Sequence, residues 1–311
     1  MPKTIKVYTS DEVVWNRDEL AAELRTTKDV VIDFCAEGPC LDSLGIESLL
    51  RYSTANSIQI VTSNAVEYAW PNTVYQPPMH FVESTQQLDG NTGKEHDAKT
   101  FGIFIGRSNA PRLYLSALAS QYPTLQTFHW RPNSVFHKSN LGLDKLADRY
   151  GAESLPLVAE FLQQAPITLD SISEYPILVN HHLDIAEYYA KFFIEIVCET
   201  YFTGSTFFCT EKIWRPIAMR TPFIVQGPQN FLHNLKTMGF KTFDRWWDEG
   251  YSEDPADHQP IEISRVLEYL GSKTTQEIYA MYQEMNDILD HNYETLMGLA
   301  LEDFLKVRNE Q

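Results

Sequence analysis

One stretch decides the fold: residues 193–227, FIEIVCETYFTGSTFFCTEKIWRPIAMRTPFIVQG. It opens with an apolar, β-branched run over residues 193–197, which predicts a buried strand. A polar loop with a glycine follows, and then a helix that we expect to begin at Thr210, because threonine is a good N-terminal cap. A second apolar run over residues 222–225 predicts the next strand. Strand, loop, helix and strand in this order are typical of an α/β protein.

Lys212 is the unusual residue of this unit. Glu211 suits the positive end of the helix dipole, whereas an exposed lysine in the first turn opposes it by about 0.3–1 kcal/mol. Helix N-termini also bind phosphates through their free N–H groups. Two explanations stay open: either Lys212 shares an anionic ligand with those N–H groups, or its side chain bends back into solvent.

Length and charge limit the class of protein. The chain has 311 residues, enough for two domains of ordinary size, and 43% of them are hydrophobic. Its net charge of −17 and pI near 4.9 argue against nucleic acid and anionic membranes, which bind clustered Lys and Arg. The N-terminus lacks the apolar run of a signal peptide, and no stretch approaches the ~20 apolar residues of a membrane helix. We therefore expect a soluble, cytoplasmic protein.

Motifs for metal, redox and nucleotide chemistry are informative by their absence. The four cysteines form no CxxC pair, which favours buried free thiols. His181 and His182 with Asp184 suggest a metal site only weakly, because adjacent side chains rarely converge on one ion. GxGxxG, GxxxxGK[ST], GxSxG, HExxH and a DxD pair are all missing. We therefore expect chemistry that needs no divalent metal.

The first ~83 residues alternate between strand-like and helical patterns. Apolar strands that alternate with helices predict a parallel sheet covered on both faces. Residues 68–82 are irregular, and the very polar residues 84–100 predict a linker. The predicted strands are residues 4–8, 30–34 and 57–62, and the predicted helices are residues 17–24 and 41–52.

The alternation restarts at residue 101, which predicts a second α/β unit. We expect two facing Rossmann-like domains, residues 1–98 and 99–272, followed by C-terminal helices over residues 273–311. A ligand should bind in the crevice at the carboxyl ends of the strands. The remaining predicted strands are residues 101–105, 125–130 and 176–180, and the remaining predicted helices are residues 112–122, 155–164, 230–238 (ending at Gly239) and 273–307.

A second strand-to-helix junction, FGIFIGRSNAPR, spans residues 101–112. It places Arg107 and Arg112 around the start of a helix, so a cation again occupies a first turn. If both junctions open at the same edge of the sheet, Arg112 and Lys212 converge on one diphosphate. The alternative for each arginine is a surface ion pair of little energetic consequence.

Residues 191–227 resemble the donor-binding motif of family 10 glycosyltransferases, the α1,3-fucosyltransferases. That motif reads roughly YKFxLAFENS…DYVTEKxWxxxxxxxxPVVxG. The residues that match in order are Lys191, Phe192, Glu199, Thr210, Glu211, Lys212, Trp214, Pro222 and Gly227. FGIFIGRSNAPR is similar to the opening of the same family's nucleotide-binding domain. The chain departs from the motif at Thr200, where the family has Asn, and in a longer loop before Glu211.

The resemblance implies a GT-B fold and a nucleotide-sugar donor, with a GDP-sugar favoured and fucose as a candidate sugar. Lysine, arginine and helix N-termini neutralise a departing diphosphate without a metal. The candidate donor contacts are Arg107, Arg112, Thr210, Lys212 and Arg215. Glu199 and Glu211 are the candidates for accepting hydrogen bonds from ribose or sugar hydroxyls. Arg215 lies one turn after Glu211 and can pair with that carboxylate instead.

An inverting transfer also needs a base, which in this architecture comes from the opposite, acceptor-side domain. Glu37, just beyond the strand over residues 30–34, is the preferred candidate, and Glu67 is the next. The alternative for either is an ordinary solvated loop carboxylate. Trp70 and the pair Trp246 and Trp247 either stack on sugar rings or belong to the core.

We therefore predict a metal-independent, inverting glycosyltransferase that joins a nucleotide sugar to a glycan or another hydroxyl acceptor, with no further cofactor. Two alternatives stay open. In the first, the acceptor is a modified nucleic-acid base, which the net charge of −17 argues against. In the second, the protein is a non-catalytic nucleotide-sugar or glycan-binding module.

Overall fold

The structure is a computed structural model of the chain. It describes residues 1–10, 13–67, 72–88, 90, 93–106, 108–129, 143–169, 185–255 and 258–309. The protein is an α/β protein with two four-stranded parallel sheets. None of the helices within these ranges is long and apolar enough to cross a membrane.

The N-terminal sheet has the strand order β1-β4-β5-β6. Its strands are β1 (Lys3–Lys6), β4 (Asp29–Asp33), β5 (Ser57–Thr62) and β6 (Thr73–Tyr75), and β2 (Thr9–Ser10) pairs separately with β3 (Val13–Val14). The helices of this half are α1 (Arg17–Thr26), α2 (Ile46–Arg51) and α3 (Met79–Thr85). β6 and α3 lie in or next to the segment that was expected to be irregular. Each is short, and neither carries a clear hydrophobic period.

One face of the N-terminal sheet is largely uncovered by the described residues. Its strands follow one another in sequence, and right-handed crossovers therefore place α1 and α2 on the same side, where they contact each other. Val30, Ile32 and Ile60 are buried beneath them. On the opposite face Val31 is half-buried and Gln59 is exposed. The expectation of a sheet covered on both faces is therefore wrong for this half.

The C-terminal sheet has the order β8-β7-β9-β10. Its strands are β7 (Lys99–Ile105), β8 (Thr124–Phe128), β9 (Phe192–Cys198) and β10 (Phe223–Gln226). Every residue of β9 and β10 is buried, as expected for parallel strands covered on both faces. From β7 the chain moves outward to β8 and then returns to β9 on the other side of β7. The strand order thus reverses between β7 and β9. The strand predicted over residues 176–180 lies outside the described residues.

The C-terminal helices are α4 (Ala110–Ala119), α5 (Leu143–Tyr150), α6 (Ser154–Leu162), α7 (Glu211–Ala218), α8 (Phe231–Thr237), α9 (Gln259–Gly271), α10 (Thr275–Glu284), α11 (Asn286–Met297) and α12 (Leu301–Asn309). Short 3₁₀ helices span Glu187–Lys191 and Gly250–Glu253. α4 contacts both α6 and α9, and α7 contacts both α3 and α11. Gly239 has φ of +99° beyond α8, which confirms its predicted role at that helix end.

The described part of residues 84–100, a segment predicted to be a linker, packs against the C-terminal half. Leu88 is buried in the same apolar core as the C-terminal sheet. Lys94 Nζ donates to the Tyr189 carbonyl at 2.8 Å and to Thr221 Oγ1 at 3.0 Å. The polar side chains of this segment therefore include hydrogen-bonding groups that hold it in place.

Candidate functional site

The candidate site lies where the order of the C-terminal strands reverses. Ligands of open α/β sheets bind in the crevice beyond the carboxyl ends of the strands at such a switch point. β7 ends at Ile105 and leads to the helix cap Asn109, and β9 ends at Cys198 and leads to the turn at residues 199–200. Because β7 and β9 are parallel, both junctions open at the same edge.

Thr210 caps α7, as predicted, and ties it to the end of β9. Its Oγ1 accepts a hydrogen bond from the Lys212 backbone N–H at 3.3 Å and donates to Glu199 Oε2 at 2.7 Å. The buried Glu199 carboxylate also accepts from the N–H groups of Thr210 at 3.3 Å and Thr200 at 3.2 Å. Burial raises the pKa of Glu199, and the Lys212 ammonium opposes that rise. Glu199 therefore fixes the turn from behind, rather than offering its carboxylate to ligand hydroxyls as expected.

Lys212 and Glu211 are charged and partly accessible, with 24% and 19% of their side chains exposed. Lys212 Nζ lies 2.9 Å from Glu211 Oε1, 3.1 Å from Thr200 Oγ1 and 3.2 Å from Thr210 Oγ1. Lys212 thus folds over the helix N-terminus instead of bending into solvent. Burial alone would raise the pKa of Glu211. The charge and hydrogen bond of Lys212, the Arg215 guanidinium and a backbone hydrogen bond together outweigh burial and lower that pKa to about 2. The Lys212 ammonium can therefore bind an anion, and the ionised Glu211 carboxylate can accept a hydrogen bond from a hydroxyl.

Arg112 reaches the same turn from the other junction. Its Nη2 donates to the Glu199 carbonyl and, at 3.3 Å, to the Cys198 carbonyl. Arg112 and Lys212 are therefore brought together on the turn at residues 199–200, although Arg112 is only 7% exposed and is engaged with the main chain. It positions the turn that Lys212 contacts. Arg107 lies outside the described residues.

Arg215 has a different partner from the one suggested by its spacing. Its Nη2 lies 2.7 Å from Glu195 Oε1 on β9, and its Nε donates to the Tyr189 hydroxyl at 2.7 Å. The Phe104 ring centroid lies 5.3 Å from its guanidinium carbon. Arg215 is buried in this network with Glu195 instead of pairing with Glu211. The expectation that it contacts the donor does not fit this position in the core.

The loop that follows the turn joins the site to the N-terminal half. Asn64 Nδ2 donates to the Ser205 carbonyl at 3.0 Å, and Asn64 Oδ1 accepts from the Phe207 N–H at 2.9 Å. At Gly38 a Cβ atom would lie 2.6 Å from the Phe208 Cβ, so only glycine permits this approach. The turn at residues 199–200 and the contact between the two halves therefore belong to one continuous loop.

Glu37 follows a strained turn. Cys35 and Ala36 have φ of 55° and 62°, a left-handed conformation that costs a non-glycine residue about 1–2 kcal/mol. Such strain persists where the surrounding structure over-determines it, and it clusters at functional sites. Glu37 is half-buried beyond the carboxyl end of β4, next to Gly38 and its contact with the loop. The turn thus places Glu37 near the C-terminal half.

Glu67 occupies a more enclosed position than Glu37. It is 5% exposed, and its Oε2 accepts a hydrogen bond from the Leu41 backbone N–H at 3.2 Å. Leu41 belongs to the loop that also carries Glu37. Glu67 therefore braces the loop of the preferred candidate base, and it is less accessible to an acceptor than Glu37 is.

His80 is a candidate that sequence reasoning missed. It lies at the start of α3, which packs against α7, and the neighbouring Phe81 ring lies 5.9 Å from the Phe208 ring between centroids. Partial burial lowers the pKa of His80, and the carboxylates of Glu211 and Glu83 oppose that effect. A neutral imidazole at this position can accept a proton from a hydroxyl. Only the packing of α3 on α7 reveals this position.

Gln226 was likewise not singled out from the sequence. It ends β10 beside Cys198, and its carbonyl accepts from the Glu199 N–H at 3.0 Å. Neither of its amide atoms has a hydrogen-bond partner among the described residues, although the side chain is fully buried. Buried polar groups nearly always have a partner. The amide is therefore a candidate contact for a ligand at the switch point.

No protein-family model matches this chain, and no curated protein matches it. The described part of the chain contains no group of three His, Cys, Asp or Glu side chains placed to hold a metal ion. His181, His182 and Trp70 lie outside the described residues. A functional assignment therefore depends on the geometry of the switch point.

Proposed function

We propose that the protein is a GT-B glycosyltransferase that moves a sugar from a nucleoside-diphosphate donor to an acceptor hydroxyl. One observation carries the proposal: Arg112 and Lys212, from two separate strand–helix junctions, contact the same turn at the switch point. Departure of a diphosphate creates negative charge, which a lysine at a helix N-terminus stabilises. The resemblance of residues 101–112 and 191–227 to family 10 glycosyltransferases supports the same class of donor.

The donor contacts have distinct proposed roles. Lys212 contacts the diphosphate together with the N–H groups at the start of α7. Arg112 acts as a positioning residue, because its guanidinium fixes the carbonyls of the turn that Lys212 contacts. The ionised Glu211 accepts a hydrogen bond from a ribose or sugar hydroxyl. The family resemblance favours a GDP-sugar, with fucose as the candidate sugar.

Glu37 is proposed as the base of an inverting transfer. It takes the proton of the acceptor hydroxyl while that oxygen attacks the anomeric carbon and the bond to the diphosphate breaks. Its partial exposure and the strained turn before it favour Glu37 over the more buried Glu67. His80 is the rival base, because it lies beside Glu211 on the helix packed against α7.

The first part of the test is binding. Thermal unfolding is followed with GDP, UDP, ADP, CMP and TDP for the wild type, Lys212→Met and Lys236→Met. Lys236 is a matched control, because it is 44% exposed and pairs with Asp244 away from the switch point. We expect one nucleotide to stabilise the wild type, by roughly 2.7 kcal/mol at a hundredfold excess over Kd, and Lys212→Met alone to lose this effect. Stabilisation by none of the nucleotides would overturn the donor site.

The second part of the test is turnover with the matching nucleotide sugar. Glu37→Gln should lower kcat by about 100-fold or more while nucleotide binding is retained, because a general base contributes at least that much. If His80→Gln loses turnover and Glu37→Gln does not, the base is His80. Nucleotide binding without turnover in the wild type would make the protein a binding module instead.

A further inference from the structure

A second cleft lies in the C-terminal half, beyond the edge strand β10. It has a volume of about 360 Å³ and is formed by residues 246–251 together with α9. Tyr251, on its floor, accepts a hydrogen bond from the Val225 N–H of β10 at 3.3 Å. The switch point is between β7 and β9, on the inner side of β10. The cleft is therefore separate from the proposed donor site.

Two aromatic side chains line the cleft and still reach solvent. Trp246 is held in place by a hydrogen bond of 3.2 Å from its Nε1 to Glu284 Oε2. Tyr269 is 47% exposed. Exposed aromatic rings are large, rigid surfaces that bind ligands at low cost in conformational entropy. Arg245 lies 5.3 Å from the Trp246 ring centroid, and Lys273 Nζ lies 4.2 Å from that of Tyr269. A ligand would therefore stack on the face of each ring that the cation does not cover.

The charged groups of the cleft limit the class of ligand. Asp248, Glu262 and Arg265 line it, and Glu262 and Arg265 form an ion pair with each other. Arg245 and Lys273 also lie against the Trp246 and Tyr269 rings, and Glu284 bonds to Trp246. Cations and carboxylates therefore balance, and the cleft has no excess of positive charge that would favour phosphates or nucleotides. Carboxylates and a guanidinium together accept and donate hydrogen bonds, which suits the hydroxyls of a neutral sugar. Apolar or aromatic walls with a few polar groups are the usual composition of a small-molecule site.

We infer that this cleft binds a neutral sugar unit of the acceptor glycan, at a distance from the transfer site. The inference rests on the proposed function only in naming the acceptor as the source of that sugar. A bound glycan arm would stack on Tyr269 and Trp246 and exchange hydroxyl hydrogen bonds with Asp248 and Glu262. Such a site raises the local concentration of acceptor without taking part in the chemistry.

The experiment titrates the full chain with neutral tetrasaccharides of glucose, galactose, mannose and N-acetylglucosamine, followed by ligand-observed NMR. Tyr269→Ala should lower the affinity for the saccharide by at least about tenfold. Tyr269→Phe should retain that affinity, because the aromatic ring provides the stacking surface. Tyr279→Ala is the matched control: Tyr279 is also 47% exposed, but it lies on α10 outside the cleft. Circular dichroism checks that the variants fold.

Three outcomes would overturn the inference: no saccharide bound by the wild type, equal binding by Tyr269→Ala, or binding of an oligolysine peptide in place of the saccharides. The nucleotide panel is run on the same samples, so the two proposals fail separately. Saccharide binding without a nucleotide effect would leave a glycan-binding cleft and remove the transferase. Nucleotide stabilisation without saccharide binding would do the reverse.

Discussion

Lys94 is a charged side chain in an aromatic environment. Its ammonium group lies 5.4 Å from the Phe192 ring centroid and 5.1 Å from that of Tyr282. Burial lowers its pKa from 10.5 to about 7, and the carboxylate of Glu195 only partly opposes this. Because the folded-state pKa lies below the unfolded one, the unfolded chain binds more protons between these two pH values. The free energy of unfolding should therefore rise with pH in this window. Below pH 7 the folded protein bears the full destabilisation that comes from burying the charged Lys94.

Lys94→Met should remove that pH dependence. Between pH 7 and 10.5 we expect the wild type to gain about 1–3 kcal/mol in free energy of unfolding that the variant does not gain. Urea unfolding at several pH values measures the difference. Lys99→Met, at the exposed start of β7, controls for loss of a positive charge. An unchanged slope in Lys94→Met would show that another group releases the proton.

At the scale of single residues, sequence reasoning worked where the signal was local. Thr210 and Lys212 were placed correctly at a helix start, because capping and the helix dipole act within one turn. The partner of Arg215 was not predictable in the same way. Glu195 is twenty residues away and meets Arg215 only when α7 packs on β9. The same holds for His80, whose position depends on two helices that are distant in sequence.

Thr210, the N-terminal cap of α7, also bonds to the buried Glu199 carboxylate at the end of β9. Thr210→Val removes both the cap of the Lys212 N–H and a donor to the buried Glu199 carboxylate. The loss of a cap costs about 0.5–2 kcal/mol, and an underbonded buried carboxylate costs about 1–3 kcal/mol. We therefore expect the free energy of unfolding to fall by roughly 2–4 kcal/mol, measured by urea unfolding.

Thr274→Val is the matched control for this change. Thr274 caps α10 in a capping box with Glu277, and its hydroxyl also donates to the Glu277 carboxylate. Because this carboxylate is exposed to water, the loss should be limited to roughly 0.5–2 kcal/mol. Thr210→Ser keeps the hydroxyl and should stay close to the wild type. If Thr210→Val costs no more than Thr274→Val, the tie between α7 and β9 contributes nothing to stability.

Among the elements, segments with an apolar run or a helical spacing were predicted, and β6 and α3, which lack both, were not. β5 and β9 were recognised from their apolar runs, and α1 from its spacing. β6 has only three residues, which are too few to show the hydrophobic alternation of a strand. It forms by pairing with β5. α3 has no side-chain cap and is supported by its packing on α7.

At the scale of the whole molecule, Asn64 connects the two halves through hydrogen bonds. Its side chain is fully buried and bonds to the backbone of Pro39, Val66, Ser205 and Phe207. Asn64→Ala should leave the Ser205 carbonyl and the Phe207 N–H underbonded, at a cost of about 1–3 kcal/mol for each group. We expect faster hydrogen exchange of the amides at residues 204–208.

Asn292→Ala is the control for Asn64→Ala. Asn292 is also a buried asparagine bonded to backbone, at Lys241, but it lies entirely within the C-terminal half. Its loss should lower stability without a selective increase in exchange at residues 204–208. Equal exchange at these amides in the two variants would mean that Asn64 is not a clamp between the halves.

The loop from residue 199 to residue 210 connects the candidate site to the N-terminal half of the protein. One end holds Thr200 against Lys212, and the middle is gripped by Asn64. The residue that contacts Lys212 and the residues that bond to the N-terminal half therefore belong to the same loop. If a ligand bound at Lys212 changes the strength of the contact at Asn64, then a change in that contact alters the affinity of the ligand by the same factor.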